Sequence, residues 1–154
     1  MINIAHIHPM LVHFPLALLP VALATQMLAL YKGQWLFERH CLSTMGIVLI
    51  VIAAIMAIVA VIFGDVALDQ AIASGVSLSK LENHEELGKL SGVLLFVLAV
   101  AEVWIYRQTN SNKDVNWIFW FAGFVVLLLL LGTAWFGGQL VYEQGVNVAP
   151  QVVH

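Results

Sequence analysis

Three histidines crowd the head of an apolar run, in HIHPMLVHFP over residues 6–15. Imidazole is a common ligand for transition metals, and facing histidine pairs hold haem iron in helical bundles. His6, His8 and His13 are therefore candidate ligands, and His84, ahead of a later apolar run, is a candidate partner. His13 lies deepest of the first three, about one turn inside Pro9, so it is expected to face His84. Gly88 and Gly92 lie just beyond His84 as a small-xxx-small pair, which lets a flat ligand or another helix approach the backbone. Cys41 is the single cysteine, which excludes an intrachain disulfide and covalent haem attachment through C-x-x-C-H.

The elements that must position these residues are membrane helices. The 154-residue chain is 62% hydrophobic and 10% charged, with a mean hydropathy of +0.95. Soluble domains carry roughly 25% charged residues. A net charge of -3 with six Lys plus Arg argues against nucleic acid as a partner. Four runs reach the roughly 20 apolar residues that a span requires, at about 9–31, 42–63, 88–106 and 117–141. Helices are the spanning form, since each satisfies its own backbone hydrogen bonds. The expectation is an all-α integral membrane four-helix bundle forming one domain over 1–154. The opening residues lack a basic leader and a small-residue cleavage site, so the first run is expected to be retained as a span.

An even number of spans puts both termini on one side, called side A, together with the loop between spans two and three. Side A holds Lys80 and Lys89, whereas the two short loops of side B hold Lys32, Arg39, Arg107 and Lys113. The positive-inside rule makes side B cytoplasmic and side A periplasmic, in a bacterial inner membrane. Tyr31, Trp35, Trp104, Tyr106, Trp117 and Trp120 read as an aromatic belt at side B.

The polar residues segregate on this map. His6, His8, His13, Asp65, Asp69, His84, Gln139, Tyr142 and Glu143 fall at or near side A. In span one, His6, Met10, His13, Ala17 and Pro20 recur at helical spacing, and Pro15 and Pro20 free the carbonyls of Leu11 and Leu16. Asn83 with Glu86 has capping-box spacing for the start of span three. Ala53, Ala57, Ala60 and Gly64 form a packing stripe in span two. Glu102 is expected to pair with Arg107 or Arg39 at the side-B interface. Gln139, Tyr142 and Glu143 are candidates for orienting the histidine rings.

With HPMLVHFPLAL at the start, His84 before span three and GGQLVYEQGVNV at the close, the chain resembles a bacterial membrane family. That family is catalogued as domain of unknown function family 2231. The resemblance covers nearly the whole chain and implies a small four-span protein, with members often predicted near redox or cytochrome genes. Members often read histidine-glycine where this chain has Gln144-Gly145, so no histidine of the closing motif is available here.

Three functional readings follow. The first is a b-type haem protein that transfers electrons near the periplasmic face. His13 and His84 are its axial ligands, with His8 as a further ligand and Gly88 and Gly92 making room. Its partners would be quinone or a periplasmic carrier, besides membrane lipid and a second copy of the chain. The second is a copper or zinc site built from His6, His8, His13 and His84, helped by Asp65, Asp69, Met10 or Glu86. A structural or assembly subunit without cofactor is the third reading. No Ser-His-Asp or paired-carboxylate arrangement marks a catalyst.

Overall fold

A computed structural model describes residues 7–108, 113–143 and 145–146. His6, Gln144 and His154 lie outside the described residues. The described residues form five helices: α1 (Ile7–Leu11), α2 (His13–Tyr31), α3 (Cys41–Ala73), α4 (Leu78–Gln108) and α5 (Lys113–Tyr142). Helices α1 and α2 form one rod across Val12, whose φ of -63° and ψ of -22° are helical. The Val12 N–H still donates to the His8 carbonyl at 3.1 Å, and the Leu16 N–H to Val12 at 3.4 Å. Pro15 has no N–H to return to Leu11, which accounts for the one-residue interruption; Pro20 passes inside α2 without one.

Four helices are thus long and apolar enough to cross a membrane. They form an up-down-up-down ring in which α2 packs on α3, α3 on α4, α4 on α5, and α5 back on α2. Helices α2 and α4 consequently face each other across the diagonal. The interior is a layer of Leu19, Leu23, Ile50, Leu95, Leu98 and Leu130 with small alanines of α3 between them. The outer surface is equally apolar, with Val21, Ile55, Val97, Ile118 and Leu128 exposed. In water such a surface would be a liability; in lipid it is the solvated face.

The helices outrun the expected spans. At 1.5 Å per residue, the 33 residues of α3 extend about 50 Å, against about 30 Å of hydrocarbon. α3 continues through Gly64 to Ala73 because Ala67 and Ala71 keep its packed face apolar while Asp65 and Asp69 stay exposed. α4 starts at Leu78, after Ser77, a residue type favoured at helix N-caps. Asn83 therefore sits inside the helix and not at its cap. Gly33 and Gly75, both with positive φ, close the side-B end of α2 and the side-A end of α3. At each, the next N–H reaches back to Ala29 or Ala71 in a Schellman turn.

At side B the loop between α2 and α3 plugs the bundle. Leu36 and Phe37 are fully buried, the Leu36 N–H donates to Asn116 Oδ1 at 2.7 Å, and Phe37 meets Phe119 edge-on. The expected aromatic belt divides in two. Tyr31, Trp104 and Trp117 face outward, whereas Trp120 donates its indole N–H to the Leu23 carbonyl and Tyr106 bonds Thr44.

Candidate functional site

At side A the structure sets His8 of α1 against His84 of α4, across the bundle diagonal. Their ring centroids are 6.2 Å apart and their planes meet at 84°. Each ring is anchored in the same manner. His8 donates from Nδ1 to the Ala60 carbonyl of α3 at 2.8 Å, and His84 donates from Nδ1 to the Thr133 carbonyl of α5 at 3.0 Å. A carbonyl can only accept, so Nδ1 carries the hydrogen in both rings, and Nε2 of a neutral ring is left as a bare lone pair.

Two glycines make this anchoring possible. In a helix, the carbonyl of residue i bonds the N–H of residue i+4. For Ala60 and Thr133, residue i+4 is Gly64 and Gly137. A Cβ on Gly64 would stand 3.0 Å from His8 Cε1, and one on Gly137 would stand 2.9 Å from His84 Cε1. With no side chain there, each ring lies on the backbone and reaches the carbonyl beside it. An exposed ion bridge stands one residue further along: Lys89 contacts Asp65 of α3 at 3.1 Å and Glu85 at 2.6 Å. Below His84, buried Ser91 donates to the Gly88 carbonyl, and Thr133 Oγ1 donates to Leu129.

His13 is placed elsewhere. Its side chain is exposed and its Nδ1 donates to the carbonyl of Pro9 on its own helix. Helical phase gives the reason. Five residues at 100° each put His13 about 140° around the rod from His8. His8 is in phase with Pro15, Leu19, Ala22 and Gln26, which are buried. The stripe through Met10, His13 and Ala17 exists but faces outward, Met10 being 68% exposed. Thus His8 and His84 are brought together, and His13 is not part of the pair.

The remaining expectations change likewise. Gly88 and Gly92 meet Thr133 Cγ2 and Val61 Cγ2 at 3.5 and 3.2 Å from a built Cβ, so both serve helix packing. Gly64 ends the alanine stripe of α3 as the seat of His8. α5 runs through Gly137 and Gly138 to Tyr142, which is exposed. The groups that orient the imidazoles are backbone carbonyls, in place of Gln139, Tyr142 or Glu143. Glu102 pairs with neither Arg107 nor Arg39: it is fully buried and accepts from Gln26 Nε2 at 3.0 Å. Among the described residues no group of three or more His, Cys, Asp or Glu side chains is arranged to hold a metal ion.

The sequence model of one family, described as "Predicted membrane protein" and numbered 2231 among domains of unknown function, matches residues 5–150. The chain belongs to this family. The match spans all four long helices and both halves of the histidine pair. No curated protein and no solved structure matches the chain.

Proposed function

We propose that this membrane protein binds a single transition-metal ion, copper before zinc, between His8 and His84 at side A. The observation that supports it is the common anchoring of the two rings. A metal-ligating histidine almost always donates its other ring N–H to a carbonyl or carboxylate, which fixes the tautomer and aims the lone pair. Both rings have that arrangement, and their centroids are 6.2 Å apart. With only two protein donors affinity is at a premium, and copper binds nitrogen sites most strongly of the divalent first-row series. The remaining positions of the ion are open to water or an incoming ligand, which suits a metal-handling role. Side A is the periplasmic face on the balance of basic residues between the loops.

A b-type haem in electron transfer to quinone or a periplasmic carrier would use the same two imidazoles. Less supports it. The glycines expected to admit a macrocycle, Gly88 and Gly92, are covered by Thr133 and Val61.

The test is metal analysis of the full-length protein in mild detergent after exposure to copper(II) or zinc and removal of the excess. One copper per chain is expected, lost in His8→Ala and His84→Ala and kept in His13→Ala. Copper retained in both pair variants would overturn the proposal. A visible Soret band that disappears in those variants would replace it with the haem reading.

A further inference from the structure

We propose that Glu102 is a proton-binding site in the bundle core, its carboxyl holding a proton on Oε1 and donating it to Gln26 Oε1. Gln26 of α2 and Glu102 of α4 are both fully buried and bonded across the diagonal through Gln26 Nε2 and Glu102 Oε2. That bond leaves Gln26 Oε1 and Glu102 Oε1 buried without a partner. Two acceptors cannot satisfy each other, and an orphaned buried polar atom costs roughly 1–3 kcal/mol. One proton on Glu102 Oε1 turns an acceptor into a donor and satisfies both atoms at once. A primary amide and a carboxylic acid each present one donor and one acceptor on a planar edge, so they close into a two-bond ring.

The surroundings supply no charge to hold a carboxylate. The ion pairs of His40 with Glu38 and of Lys89 with Asp65 and Glu85 do not include Glu102. Arg39 and Arg107 are exposed. A bare carboxylate in an apolar interior is far costlier than the acid. Gly46 of α3 holds the other flank, where a Cβ would fall 2.6 Å from Gln26 Cγ, so the amide has little freedom to turn away. The step is protonation of a carboxylate by a proton from water, with no change of redox state.

Infrared spectroscopy of the full-length protein in detergent near neutral pH tests this directly. The other described Asp and Glu side chains are exposed or half-buried, so Glu102 is the fully buried carboxyl among them. The parent protein should show a carboxylic-acid C=O stretch that shifts in D2O. The band should vanish in Glu102→Gln and move in Gln26→Leu. Glu102→Gln should keep its helix content, because an amide can donate to Gln26 Oε1 in the acid's place. Absence of the band in the parent would overturn the proposal, as would its persistence in Glu102→Gln. Should that variant fail to fold, the parent band and its displacement in Gln26→Leu carry the decision alone.

Discussion

The ring of His84 occupies the place where a side chain on Gly137 would begin, Cε1 lying 2.9 Å from a Cβ built there. His84 could not reach the Thr133 carbonyl from the same position if residue 137 were alanine. Gly138, the next residue along, has nothing within 4 Å of its own built Cβ. The two neighbouring glycines should therefore respond in opposite ways. Gly137→Ala is expected to destabilise by about 1–3 kcal/mol, as overpacking does, and to release metal. Gly138→Ala should be stabilising by about 0.5–1 kcal/mol through helix propensity. Thermal unfolding in detergent with metal analysis checks both, and equal effects at the two sites would refute the seat.

Gly64 makes the same prediction for the other ring. Gly64→Ala should displace His8 from Ala60 and lower copper occupancy while leaving the four helices intact. The checks are circular dichroism for the fold and bound copper for the site. Full occupancy in this variant would show that the carbonyl bond does not orient His8.

Gly46→Ala should disturb the opposite end of the core. Its Cβ would collide with Gln26 Cγ, and Gln26 is held by Glu102. A cost of about 1–3 kcal/mol is expected. In the double variant Gly46→Ala with Gln26→Ala that cost should shrink, because the obstructed side chain is gone. Unfolding measurements on the double-mutant cycle decide it.

Asn116 caps the side-B loop by accepting from the Leu36 N–H. Asn116→Ala leaves that buried donor unmade, at a cost of about 1–3 kcal/mol. Hydrogen exchange should rise at residues 35–38 before it rises in the helices. Unchanged protection of that loop would mean the bond contributes nothing.

Cys41 is the single cysteine of the chain and is exposed at the side-B end of α3. It allows orientation to be read without engineering. A membrane-impermeant maleimide should label it in inverted vesicles and fail to label it in intact cells. The reverse pattern would put side A in the cytoplasm.

The number of spans and the collection of histidines at one end were legible from composition and order alone. The face of α4 was legible too: His84, Gly88, Ser91 and Leu95 lie together on it, Ser91 and Leu95 fully buried. The face of the first helix was misassigned because two stripes compete there. One runs through His13; the other runs through His8, Pro15, Leu19, Ala22 and Gln26, and only the second meets the neighbouring helices. In a helix apolar on all sides, hydrophobicity does not say which face is inward. The polar residue Gln26 could have said so, since an amide in a span favours the bundle interior. The anchoring carbonyls are beyond composition, but their trace is visible as a glycine four residues after Ala60 and after Thr133. For Glu102 the arginines at the same end of the bundle, Arg39 and Arg107, suggest a surface pair, whereas its partner, Gln26, comes from the diagonal helix.

The two diagonal pairs are in register. From His8 to Gln26 and from His84 to Glu102 is 18 residues in each case, five full turns and about 27 Å. Between them lie Leu19, Leu23, Leu95 and Leu98. This apolar layer works as a stopper. It keeps the two polar pairs about 27 Å apart, too far for a hydrogen bond or a shared ion to link them.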